Sequence, residues 1–201
     1  MTKVKICGLS RTEDAKAVNC SLPDYCGFVF AESSRRVDAD TAAKLKKELD
    51  SSIEAVGVFV NEDIEVISKL YSRGTIDMVQ LHGDEDALYI ERLKDSCGCR
   101  VIKSIAVGDT VPPIPDGPEY LLFDSMSVRR GGTGRTFDWN IIKDFAGTPY
   151  FLAGGLDSAN VRDAVRSLSP YCVDVSGGVE TDGKKDAGKI EDLIRVVKEA
   201  D

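Results

Sequence analysis

Short apolar runs rich in β-branched and aromatic residues recur along the chain. Between them lie stretches whose apolar residues return every three or four positions. The runs fall at residues 4–7, 25–30, 54–59, 78–81, 100–105, 120–124, 150–153 and 172–175, and each reads as a strand. The intervening stretches predict helices over 12–19, 39–49, 62–71, 86–94, 137–145, 158–168 and 189–199. In the last of these, Ile190, Leu193, Ile194 and Val197 follow the i, i+3, i+4, i+7 spacing of one helix face. Ser10 and Glu13 have the spacing of a capping box for the first helix, and Asp38 is placed to cap the second.

One gap breaks the rhythm. Residues 107–118 hold four of the seven prolines and two glycines. Proline removes a helical hydrogen bond and clashes with the preceding turn, so a proline-rich loop is expected in place of the fifth helix. Strand–helix alternation implies a parallel α/β sheet. Eight repeats without a break in composition predict closure into a single-domain (β/α)8 TIM barrel spanning residues 1–201.

Charge narrows the choice of partner. Lys and Arg number 26 against 34 Asp and Glu, a net charge of −8, and no basic cluster is long enough to hold a nucleic-acid backbone. No apolar run approaches the ~18 residues that a membrane span needs. The chain enters its first strand with no secretory leader, so the cytoplasm is the expected compartment. The six cysteines lack the spacing of a disulfide framework and are expected to be free thiols. Cys97-Gly98-Cys99 has no second pair, and His82 is the only histidine, so no metal is expected.

In a barrel of this kind the chemistry sits at the C-terminal ends of the strands. Cys7 ends the first strand and Asp124 the sixth. A thiol near neutrality is a usable base, and a buried carboxyl group a usable acid, so the two form a candidate acid–base pair. Gln80 and His82 close the fourth strand and Asp174 lies in the eighth; all three are candidates for binding substrate. Gly154-Gly155 after the seventh strand and Ser176-Gly177-Gly178 after the eighth offer bare backbone amides to an anion, a recurrent phosphate site of the fold. Arg36, beside Arg35 in the loop after the second strand, offers a fork for a carboxylate. Residues 131–136 look superficially like a P-loop, but the glycine spacing is wrong and Arg135 stands where Lys is required.

Several segments taken together resemble the phosphoribosylanthranilate isomerase family. They are Val4-Lys5-Ile6-Cys7-Gly8-Leu9, Gly27-Phe28-Val29-Phe30, Val56-Gly57-Val58-Phe59-Val60-Asn61 and Val79-Gln80-Leu81-His82-Gly83, followed by Gly131-Gly132-Thr133-Gly134-Arg135-Thr136-Phe137-Asp138-Trp139, Leu152-Ala153-Gly154-Gly155-Leu156 and Val173-Asp174-Val175-Ser176-Gly177-Gly178-Val179-Glu180. They run in the family's order over nearly the whole chain. The resemblance implies a cofactor-independent Amadori rearrangement of a phosphosugar in tryptophan biosynthesis. By it, Cys7 is the general base at C2, Asp124 the general acid at the ring oxygen and Arg36 the holder of the anthranilate carboxylate. Phosphate would rest on Gly154, Gly155, Ser176, Gly177 and Gly178. Gly177 stands where the family usually has a second serine, Arg129 and Arg130 add unexpected charge, and a one-residue slip would move the clamp to Arg35. Monomer and homodimer both remain open.

Rival barrels are less well matched. An epimerase would need more metal-binding histidines than one. An indole-glycerol-phosphate synthase would need a strand-end Lys–Glu pair, for which Lys5 and Lys103 are the candidates. A non-catalytic phosphosugar-binding barrel would keep the glycine loops without needing Cys7 or Asp124.

Overall fold

The computed structural model describes residues 1–125 and 136–201. Eight parallel strands close into one barrel in sequence order: β1 (Lys3–Cys7), β2 (Tyr25–Val29), β3 (Glu54–Phe59), β4 (Met78–Leu81), β5 (Val101–Val107), β6 (Tyr120–Ser125), β7 (Tyr150–Leu152) and β8 (Cys172–Val175). β1 seals the ring against β8, with Lys5 level with Asp174, and meets β2 with Cys7 level with Gly27. The strands lie within a residue or two of their predicted bounds.

Alternation along each strand divides the core in two. Tyr25, Val56, Met78, Ile102, Leu122, Phe151 and Cys172 fill the barrel's interior. Their neighbours, among them Ile6, Phe28, Val79, Phe123 and Val173, pack outward with the helices. Each such large side chain, fully buried, contributes roughly 1.5–3 kcal/mol. Because Tyr25, Leu122 and Cys172 point inward, so do residues two positions further on, and this parity carries Asp124 and Asp174 into the barrel.

Six α-helices are present among the described residues: α1 (Thr12–Ser21), α2 (Ala39–Glu48), α3 (Ile64–Ser72), α4 (Ala87–Cys97), α5 (Val161–Leu168) and α6 (Ala187–Ala200). Asp38 caps α2 by accepting from the Thr41 amide, as expected. The first helix is capped one residue later than predicted. Asp14, not Glu13, reaches back, accepting from the amides of Ser10 and Arg11 at 2.9 and 3.0 Å. Residues 107–118 form no helix; Val111 and Ile114 from this loop lie against the core instead.

The predicted helix over 137–145 is not formed. Only a 3₁₀ turn, Trp139–Ile141, occurs there, prolonged by i→i−3 bonds from Lys143 and Phe145. Asp138 accepts from both the Asn140 amide and its side chain, which favours a tight turn. Phe145 then packs edge-on against Phe123 and Tyr150, with ring centroids 5.1 and 5.9 Å away. The apolar spacing read as a helix face is used to plug the outer wall. Arg129, Arg130 and the glycine-rich stretch 131–135 lie outside the described residues.

Candidate active site

Lys3, Lys5 and Cys7 share the inward face of β1, so Cys7 stands at the C-terminal mouth with Lys5 one layer beneath. The opposing Gly27 makes room for the thiol. A Cβ at that position would lie 2.7 Å from Cys7 Sγ and 3.1 Å from its Cα. Cys7 is half-buried. Burial pushes its thiol above the ordinary 9.0; Lys5 and Lys185 pull it down only in part, and the Asp174 charge adds to the rise.

Lys5 is 0 % exposed, and its ammonium donates to Asp174 Oδ2 at 2.8 Å and to Gln80 Oε1 at 2.9 Å. Burial opposes its charge, but Asp174 and Cys7 outweigh burial and hold the group protonated. Asp174 is 9 % exposed, and its second oxygen, Oδ1, is buried with no hydrogen-bond partner among the described residues. Gln80 also reaches His82, with Nε2 3.0 Å from the imidazole Nδ1. The other imidazole nitrogen lies 3.6 Å from Asp124 Oδ2.

Asp124, on β6, accepts from the Ser125 amide at 2.7 Å. Burial pushes its carboxyl up to about 6; the Ser125 hydrogen bonds and Lys5 oppose the rise and Asp174 adds to it. This is the shift a general acid working near neutrality requires.

The two glycine loops meet beside this pair. Gly154 and Gly155 both have positive φ, 88° and 63°. A Cβ on Gly178 would stand 2.0 Å from the Leu156 carbonyl oxygen, so the loops after β7 and β8 touch backbone to backbone. Gly177–Val179 forms a 3₁₀ turn, whose leading amides have no partner within the turn. Ser176 donates its hydroxyl to the Cys7 carbonyl at 2.9 Å and so ties this loop to β1.

Arg35 and Arg36 have different surroundings. Arg35 is fork-bound to Glu180, with both contacts at 2.7 Å, and Glu180 also receives Lys185 at 2.7 Å. These two cations overcome burial and hold the Glu180 carboxyl down at about 2. Arg36 is exposed, and no carboxylate among the described residues holds it. Lys103, one of the two lysine candidates of the synthase reading, donates to Glu85 at 2.8 Å and to the Gly83 carbonyl at 2.7 Å.

The structure thus brings Cys7, Asp124, Asp174, Gln80 and His82 together around Lys5, with the glycine loops adjoining. The sequence names Lys5 only as a lysine candidate of the rival synthase, although strand parity with Cys7 marks it as inward-facing. Glu180 and Lys185 were not singled out: Glu180 is held by Arg35 from another loop, and Lys185 bonds back to Glu180 and Ser176.

A closed parallel barrel with a thiol and a raised carboxyl at its mouth, beside two amide-rich loops, defines an acid–base barrel enzyme for a small anionic substrate. Residues 4–196 match the family described as N-(5'-phosphoribosyl)anthranilate (PRA) isomerase. The N-(5'-phosphoribosyl)anthranilate isomerase of Endomicrobium trichonymphae is 47 % identical over 199 residues, covering 98 % of this chain and 99 % of that protein. The crystal structure of the Thermotoga maritima phosphoribosyl anthranilate isomerase superposes with a TM-score of 0.85 at 34 % identity, covering 99 % of this chain and all of that one. A further solved isomerase, 32 % identical with a TM-score of 0.82 and covering 99 % of this chain and 100 % of its own, is described in complex with reduced 1-(o-carboxyphenylamino)-1-deoxyribulose 5-phosphate. The chain belongs to the N-(5'-phosphoribosyl)anthranilate isomerase family.

Proposed function

We propose that the whole chain is one catalytic domain, working in the cytoplasm, in which Asp124 and Cys7 perform the Amadori rearrangement of N-(5-phosphoribosyl)anthranilate. The product is 1-(2-carboxyphenylamino)-1-deoxyribulose 5-phosphate, an intermediate of tryptophan biosynthesis. Asp124 protonates the furanose ring oxygen as the C1–O bond breaks, which opens the ring to an iminium. Cys7, as thiolate, takes the C2 proton, and the released electron pair moves into the C1–nitrogen unit to give an enolamine. The Cys7 thiol then returns its proton at C1 while the Asp124 carboxylate takes the C2 hydroxyl proton, which yields the ketone and restores both groups. Two protons join the substrate, at the ring oxygen and C1, and two leave it, from C2 and the C2 hydroxyl, so the balance needs neither a hydride nor an electron carrier.

The remaining residues hold the substrate. Phosphate rests on the amides of Gly154, Gly155, Gly177 and Gly178; Ser176 contributes its backbone, because its hydroxyl proton is spent on Cys7. The lack of a second serine at Gly177 therefore removes no contact on which this scheme relies. Asp174 Oδ1 receives a sugar hydroxyl, since a buried acceptor without a donor points to an absent partner. Gln80 and His82 line the same side. Arg36 clamps the anthranilate carboxylate, because Arg35 is already spent on Glu180.

One observation carries this reading: the inward faces of β1 and β6 present a thiol and a carboxyl with a raised pKa at the same end of the barrel. The test is turnover of phosphoribosylanthranilate by purified protein in chelator, with Asp124→Asn alongside. The expected loss in kcat is about 10²–10⁴-fold, the usual worth of a positioned acid, with KM little changed. Normal turnover by Asp124→Asn would favour a binding barrel instead.

A further inference from the structure

We infer that Lys5 is a positioning residue that acts through Gln80 to hold His82 with its proton on Nε2, so that an N–H donor faces Asp124. The inference rests on the reading of Asp124 as the acid. It follows from which atoms can donate. A lysine ammonium has donors and no acceptor. The Gln80 atom 2.9 Å from Lys5 Nζ is therefore its carbonyl oxygen, and the amide cannot turn round without setting two donors face to face. Its NH₂ group then points at His82 Nδ1, 3.0 Å away. An amide NH₂ only donates, so Nδ1 presents its lone pair. A neutral imidazole with a bare Nδ1 carries its proton on Nε2.

That nitrogen is the one 3.6 Å from Asp124 Oδ2. The separation is longer than a hydrogen bond, and closure by a few tenths of an ångström makes it one. When Asp124 gives its proton to the ring oxygen, the carboxylate left behind meets an N–H. The other tautomer would set a lone pair against the new anion. His82 keeps its own proton throughout.

Lys5 is built to hold this arrangement. It is fully buried, its strongest contact is the 2.8 Å pair with Asp174, and it also donates to the Cys7 sulfur. With its donors engaged and its side chain shut off from bulk solvent, it cannot release Gln80 at small cost. One ammonium thus touches the base directly and orients the group beside the acid.

The chain's single histidine makes the test clean. In ¹⁵N-labelled wild-type protein at about pH 8, above the ordinary imidazole value of about 6.5, two-bond ¹H–¹⁵N spectra report one imidazole only. The expected result is a pyrrole-like Nε2 and a pyridine-like Nδ1. Gln80→Glu replaces the NH₂ donor by an acceptor and should move the proton to Nδ1. Its kcat should fall by about tenfold or more, as when a donor is withdrawn from developing negative charge, with KM little changed. Wild-type His82 protonated on Nδ1 would overturn the inference without any variant. So would a tautomer unmoved in a folded Gln80→Glu protein, or a moved tautomer with unchanged kcat. The Asp124 assignment fails separately: active Asp124→Asn sinks it whatever the spectrum shows, whereas inactive Asp124→Asn with Nδ1–H in the wild type sinks the Lys5 inference alone.

Discussion

At the residue scale the protonation states run opposite to what the reaction uses. In the proposed reaction the productive pair is a protonated Asp124 and an ionised Cys7. In the free protein, burial leaves Asp124 ionising at about 6 and Cys7 only above the ordinary thiol value of 9.0. Between those values the carboxyl is charged and the thiol neutral, so the productive form is a minor species of constant population. It declines below the lower value and above the upper one. The pH profile of kcat/KM should therefore be a broad plateau with an acid limb at about 6 and an alkaline limb above 9. Burial sets these limbs first, and the facing groups that adjust them are Lys5, Asp174, Lys185 and the Ser125 hydrogen bonds, with His82 3.6 Å from Asp124. Rate measurements across this range check it; a profile flat through pH 6 would count against Asp124 as the acid. The places of Cys7 and Asp124 at the barrel mouth were legible in the sequence because strand-end position and residue type are local properties. The direction of the Cys7 shift was not, because it depends on how far burial outweighs a lysine that the sequence places beside it only by parity.

At the element scale, the strands were readable because a buried parallel strand needs a continuous run of branched apolar residues. Most helices were readable from their spacing and caps. Residues 137–145 show the limit: apolar residues at helical intervals also serve as a plug when Asp138 supplies a competing turn. The glycines of the β7 and β8 loops were visible as residues, while their reason lies in the contact between the loops. Gly178 faces the Leu156 carbonyl with no space for a side chain. Gly178→Ala should part the two loops, raise KM by about tenfold, roughly 1.4 kcal/mol of binding, and weaken competitive inhibition by inorganic phosphate in parallel. Steady-state kinetics with phosphate as inhibitor read this directly, and unchanged phosphate inhibition would remove the loops from the anion site.

At the scale of the whole molecule, barrel closure is what assembles the site. Lys5 meets Gln80 from 75 residues away and Asp174 from 169. No window of sequence contains these pairs, so Lys5 could be seen as an oddity in a buried strand but not as the hub of a network. The same closure makes it a structural risk. Lys5→Met would leave Asp174 buried without its cation, and denaturant unfolding should register a loss of about 3–5 kcal/mol. Adding Asp174→Asn should return a large part of it, because the stranded charge is then gone; no recovery in the double variant would mean that the pair does not carry the cost.

The proposed chemistry depends most directly on the Cys7 thiol. Single-turnover formation of product by Cys7→Ala, at saturating phosphoribosylanthranilate, isolates the chemical step from binding. Removal of the base should slow that step by about 10²–10⁴-fold while substrate affinity holds. A Cys7→Ala rate within about threefold of wild type, well short of that loss, would contradict it.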